Sequence, residues 1–145
     1  MDDEFGHWLA GFTDGEGCFS AYPSGNGITL SFTLHLREDD WPILAEIRRL
    51  LGFGRLTKSN GGAWLRFYRH PDLVAIVRLF DKYPLRAKKK SDFALFRELV
   101  GERTKGARAD KRRVDALVAA LASVKGLDEE LLIPDDDGEQ LPLWA

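Results

Sequence analysis

The residues best suited to chemistry fall in two short stretches. The segment WLAGFTDGEGCF (8–19) sets two carboxylates, Asp14 and Glu16, among glycines at the end of an apolar run. The run Arg86-Ala87-Lys88-Lys89-Lys90 gathers four cations within five residues. A carboxylate can ligate a hard divalent cation in company with other oxygens, and clustered cations can meet an oxyanion. Taken singly, both features are commonplace: a Glu after a helix, or a lysine run beside one, is ordinarily solvated charge. Other chemistries are excluded by count. Cys18 is the one cysteine, which leaves neither an internal disulfide nor a cysteine-rich zinc site, and His7, His35 and His70 are too few for a histidine cage.

The elements that must position these groups follow from periodicity. Residues 4–14 read as a helix with Phe5, Trp8, Leu9 and Phe12 at helical spacing, ended by Gly15 and Gly17. Residues 18–23 alternate as a strand, SGNG (24–27) is a turn, and 28–37 is the clearest strand, with Leu30, Phe32, Leu34 and Leu36 on one face and polar residues on the other. Acids at 38–40 lead into a helix carrying Ile43, Leu44, Ile47, Leu50 and Leu51, which Gly52 stops. Residues 53–58 and 63–69 form a hairpin around SNGG, and His70-Pro71-Asp72 opens a helix interrupted at Tyr83-Pro84-Leu85. Helices at about 92–101 and 110–124 follow. This α+β order, α-β-β-α-β-β-α with two more helices, describes a four-stranded antiparallel sheet with helices on one face and its polar face open. Ala10 and Gly11 within the helix of 4–14, then Gly15 at its end, allow close packing, either on the chain's own sheet or against a second helix.

Charge is unevenly placed. The net charge is −2, yet residues 1–16 hold five acids and no base, and 125–145 hold seven acids against Lys125. The middle, 17–124, carries twenty basic and eleven acidic residues, +9, which suits a polyanion-binding body with acidic flanks. Residues 1–124 are taken as one domain and 125–145 as an acidic tail, pinned by Leu131, Leu132 or Trp144. No apolar run reaches the ~18 residues of a membrane span, and the first residues are acidic where a signal peptide is basic. The expectation is a soluble intracellular protein with no membrane partner, in the cytoplasm or nucleoid of a prokaryote.

Residues 8–19 resemble the signature of the LAGLIDADG homing endonucleases, written here Leu9-Ala10-Gly11-Phe12-Thr13-Asp14-Gly15-Glu16-Gly17. LLGFGRL (50–56) and YPLRAKKKSDF (83–93) are also like that family and lie at similar distances, so the resemblance covers about residues 5–101. It implies the αββαββα homing-endonuclease fold and, with one motif per chain, a homodimer joined through Leu9, Ala10, Gly11, Phe12 and Asp14. Two copies of Glu16 then stand side by side and, with the carbonyl of Gly15, hold Mg²⁺. Mn²⁺ can substitute, and Ca²⁺ binds without cleavage. Lys88 or Lys89 is the implied pocket lysine, acting beside Glu16 on the scissile phosphate of double-stranded DNA. Asp14 has a structural hydrogen-bonding role.

On that resemblance the open sheet face reads bases in the major groove. By alternation the readers are Ser20, Tyr22 and Ser24, then Thr29, Ser31, Thr33, His35 and Arg37, then Arg55, Thr57, Ser59, Trp64 and Arg66, with Trp64 equally readable as core. Arg103, Lys105, Arg108, Lys111, Arg112 and Arg113 meet phosphates. Two departures matter. Leu36 stands where some family members have a catalytic-pocket glutamine, with Asp40 where a further charged pocket residue falls, and the pI of 5.9 is low for a DNA-binding protein. The first means that another residue, such as His35 or Arg37, orders the water or that cleavage is weak or lost, and the second bears on DNA binding. The expected function is therefore a site-specific double-strand endonuclease with a long, nearly palindromic target, serving a mobile intron or intein. The alternative is a cleavage-deficient regulator or RNA-splicing maturase, and a third reading is a plain interaction domain.

Overall fold

The computed structural model describes residues 1–25 and 27–130. Its elements run α1 (Asp3–Glu16), β1 (Gly17–Ser24), β2 (Gly27–Arg37), α2 (Trp41–Leu51), β3 (Arg55–Ser59), β4 (Gly62–Phe67), α3 (His70–Lys82), α4 (Lys89–Thr104) and α5 (Lys111–Glu130). This is the expected αββαββα order with two helices appended. The four strands make one antiparallel sheet in the order β1-β2-β4-β3.

Local chemistry explains the boundaries. The Asp2 side chain accepts the Phe5 N–H at 2.7 Å and caps α1, whose first turn carries Asp3 and Glu4 at the positive end of the helix dipole. Gly52 ends α2 at φ 85°, a conformation that costs other residues strain, and its N–H returns to the Arg48 carbonyl at 2.8 Å. Asn60 and Gly61, at φ 52° and 78°, form the two-residue turn that matches the twist of β3 and β4. The core lies between the helices and one sheet face. Phe19, Phe32 and Phe67 stack across three neighbouring strands, with centroids 4.8 and 5.5 Å apart, and Phe80 and Phe96 close over them from the helices. Each such burial contributes roughly 1.5–3 kcal/mol.

Several expectations are corrected. Leu9 and Ala10, expected at an interface between chains, are 0% and 4% exposed and belong to the chain's own core, because their side of α1 packs on the sheet. The helix expected at about 92–101 starts at Lys89 and reaches Thr104, since lysines extend a helix readily. The last helix runs past residue 124 to Glu130, so the start of the expected tail is helical. The expected pinning by Leu131, Leu132 or Trp144 lies outside the described residues. No helix among the described residues is long and apolar enough to cross a membrane.

Tyr83 ties the α3–α4 link to α1. Its buried ring lies against Gly6, and its hydroxyl donates to Asp3 Oδ1 at 2.7 Å. A Cβ on Gly6 would overlap that ring, which is held at both ends and cannot turn aside. Gly6→Ala should therefore destabilise the protein by about 1–3 kcal/mol through overpacking, although Ala is the better helix former. A urea titration should show a lower midpoint at unchanged slope; an unchanged or raised midpoint would mean that the ring yields.

Candidate functional site

The strand register sorts side chains between two faces. Phe19 pairs with Phe32 and Phe32 with Phe67, all on the core face. The residues between them share the opposite face: Ser20 beside Ser31, Tyr22 beside Thr29, and Thr33 beside Arg66, which is beside Arg55. His35 lies beside Trp64 and Trp64 beside Thr57, while Arg37 and Ser59 flank Gly62 and Ser24 closes the β1–β2 hairpin opposite Gly27. Every base-reading candidate thus falls on one face, and none of them is an acid. Trp64 is half-buried on this polar face, not in the core, and stacks on His35 at 4.6 Å and 14°. Arg66 lies over the Trp64 ring at 5.0 Å and donates to Thr57 Oγ1 at 3.2 Å, which fixes its guanidinium. Of the phosphate candidates, Lys105 and Arg113 are engaged by Glu102, whose carboxyl the Lys105 ammonium and the Asp110 N–H hold below the usual range.

Glu16 is the last residue of α1, exposed and without an ion pair among the described residues. Gly17 pairs with Leu34, which sets Glu16 at the His35 end of the polar face. Burial and Arg66 lower the His35 pKa, while the Glu16 carboxylate pulls it back up. Asp14 Oδ2 accepts the backbone N–H groups of Arg86 and Ala87 at 2.8 and 3.1 Å. These bonds fasten the basic run to the last turn of α1. Lys88 is the N-cap of α4 and Lys89 and Lys90 begin it, so three ammonium groups gather where the helix dipole is already positive. Lys88 is exposed and Lys89 half-buried.

The metal donors that the resemblance implies, the Glu16 carboxylate and the Gly15 carbonyl, fall together at the C-terminal end of α1. No group of three or more His, Cys, Asp and Glu among the described residues could hold a metal ion by itself. These donors fit Mg²⁺, which takes few protein oxygens and completes its shell with water and phosphate. The α1 surface beside Glu16 is apolar and open: Trp8 is 47% exposed and stacks with Phe12 at 5.0 Å, and a Cβ on Gly11 or Gly15 would meet no atom within 4 Å.

Leu36 pairs with Ala63 and packs half-buried against the core, so it supplies no polar group to the Glu16 end. Asp40 is exposed just before α2. Tyr68, Arg69 and Arg48, which the sequence did not single out, line a recess with Arg55 and Arg66. Tyr68 follows Trp64 and Arg66 in the same alternation, whereas Arg48 and Arg69 join the sheet only through the fold.

Residues 9–100 match the sequence model of the LAGLIDADG endonucleases. Among curated proteins, "Probable intron-encoded endonuclease Cox1-I1b" of Schizosaccharomyces pombe is 39% identical over 101 residues, covering 65% of this chain and 26% of its own length. "Uncharacterized 50.9 kDa protein in ND4 intron 1" of Podospora anserina is 36% identical over 104 residues, covering 64% and 23%. The chain thus spans about a quarter of the length of these relatives. Among solved structures, the homing endonuclease I-TnaI has a TM-score of 0.74 at 25% identity over 88% of this chain and 97% of its own. The LAGLIDADG meganuclease I-AabMI bound to uncleaved DNA has a TM-score of 0.74 at 29% identity over 81% of this chain and 44% of its own.

Proposed function

The chain belongs to the LAGLIDADG endonuclease family, and on that premise we propose that it is a homodimeric, metal-dependent endonuclease that cuts both strands of a long, nearly palindromic DNA site. The observation that carries this reading is that Asp14 fastens the lysine run to the helix ending in Glu16, at the margin of an acid-free polar sheet face. The face docks in the major groove and reads base edges, while phosphate contacts at its margins set the register without reading sequence. Glu16, with the Gly15 carbonyl, would hold Mg²⁺. The chemistry supplied on binding is water activation and charge neutralisation at the departing oxygen of an in-line displacement. Lys88 or Lys89 polarises the scissile phosphate, and Asp14 positions them by holding their segment.

Pairing is supported by lengths as well as by the open face of α1. The same fold fills nearly all of the I-TnaI chain but under half of the I-AabMI chain. The proposed endonuclease domain is residues 1–124, with 125–145 as its acidic tail. A prokaryotic setting draws no support from the curated relatives, which come from Schizosaccharomyces pombe and Podospora anserina.

Leu36 favours a second reading, a regulator or maturase that binds without cutting. Incubating the chain with a randomised duplex library in Mg²⁺, then sequencing both retained duplexes and new ends, separates the two. Ends enriched for one near-palindrome are the expected result. Retention of a sequence class without ends would transfer the function to the second reading, and neither ends nor retention would leave an interaction domain.

A further inference from the structure

Where β3 begins and β4 ends, Arg48, Arg55, Arg66 and Arg69 line a recess of about 280 Å³ together with Tyr68 and Asp72. We propose that this recess clamps one backbone phosphate of the bound duplex. The inference rests on the DNA-binding reading above and adds to it a built anion site at the border of the base-reading face.

The arrangement is costly without an anion. Arg55 and Arg66 stand directly opposite each other in the β3–β4 register, and like charges so placed destabilise a strand pair. None of the four arginines forms an ion pair among the described residues, and no Asp72 carboxylate oxygen lies within 4.0 Å of their guanidinium nitrogens. The helix termini nearby do not supply the missing charge. α3 points its positive end at the recess, its N-cap is Arg69, and no side chain caps it. The α2 C-terminus opposes this beside Arg48, but it is one partial charge against four guanidinium groups.

The donors are also fixed in place. Arg55 Nη1 donates to the Tyr68 hydroxyl at 3.3 Å, Arg66 Nη1 to Thr57 Oγ1 at 3.2 Å, and Arg48 Nε to the Gly54 carbonyl at 2.8 Å. A guanidinium carries five N–H donors, so each keeps most of its donors for a ligand. Forked donors from several sides suit the oxygens of a phosphate better than a planar base edge. Arg66 belongs to both the recess and the reading face. A strand whose bases lie on that face therefore carries its phosphates past the recess.

The test uses the full chain and the duplex recovered from the library, with binding measured against salt. Single neutral methylphosphonates are placed at each backbone position in turn. Arg69 is exposed and its side chain makes no hydrogen bond or ion pair among the described residues, so Arg69→Gln should fold normally. That variant should bind its target and an unrelated duplex about tenfold more weakly alike. Its log–log salt slope should be shallower, by at most about 0.9. The parent should lose affinity when one particular phosphate is neutralised, and Arg69→Gln, with three arginines left in the recess, should lose measurably less. Arg69→Lys should keep the slope. An unchanged slope, a loss confined to one base pair, or undiminished sensitivity to that methylphosphonate would overturn the recess alone. A parent with no affinity for any duplex would overturn the DNA reading and the recess with it.

Discussion

Glu16→Gln is expected to abolish strand cleavage while leaving assembly and target binding as in the parent. The amide matches the carboxylate in size, and Glu16 is exposed with no ion pair among the described residues, so the fold does not depend on its charge. In the proposed arrangement base recognition resides in the strands and phosphate contacts lie away from Glu16, so affinity should survive. What would disappear is the negative charge proposed to hold Mg²⁺ beside the scissile phosphate. The rate should fall by a factor of about a thousand or more, since even one lost neutral donor to a developing oxyanion costs a hundred- to a thousandfold. In Ca²⁺, which binds carboxylates but activates water poorly, the parent should behave like the variant, and Mn²⁺ should support cutting. Lys88→Met and Lys89→Met should each be compared, the larger but milder loss identifying the lysine in the pocket. The readout is nicked and linear product from a plasmid carrying the site, beside a gel-shift affinity. Full-rate cleavage by Glu16→Gln removes this site from the enzyme. Tight binding without cutting by the parent in either Mg²⁺ or Mn²⁺ moves the protein to the regulator or maturase reading, with Leu36 as the first position to change.

How far such a site can be read from sequence depends on whether its geometry is local. The strand at 28–37 advertises its two faces by strict alternation, and the register carries that division across the sheet, so Thr29 to Arg37 and Arg55 to Arg66 fall where expected. The Asn60-Gly61 turn is local too. Within α1 the pattern is weaker, because Leu9, Ala10 and Gly11 are consecutive and small or apolar. Spacing alone does not say which of them faces the sheet. The structure separates them, closing Leu9 and Ala10 inside and leaving Gly11 open. The Asp14 bonds to Arg86 and Ala87 span more than seventy residues and have no sequence signal. The arginine recess draws on α2, β3, β4 and the cap of α3, so it exists only once the chain is folded.

Gly11→Leu is expected to convert the proposed dimer into a folded monomer that no longer cuts. A glycine inside a helix costs about 1 kcal/mol relative to alanine. Among the described residues nothing requires one at residue 11, where a Cβ would meet no atom within 4 Å. The open side of residue 11 would let a second helix approach closely in the proposed dimer, and the half-exposed Trp8, stacked on Phe12, marks the same surface as one that water does not suit. Two such helices packed backbone to backbone about a two-fold axis would bring the Glu16 ends together. A leucine would hold them apart and part the carboxylates. Light scattering at micromolar concentration should give about twice 16.3 kDa for the parent and about 16.3 kDa for the variant, with matching far-UV spectra. Gly11→Ala should be graded, making the protomer up to about 1 kcal/mol more stable while weakening association. Leu9→Ala should behave differently, lowering stability by about 2–5 kcal/mol through a core cavity while sparing the interface. A parent that stays monomeric even on its target DNA, or a Gly11→Leu variant that stays dimeric, would overturn the pairing of these helices. The Glu16 site would then have to work from a single carboxylate.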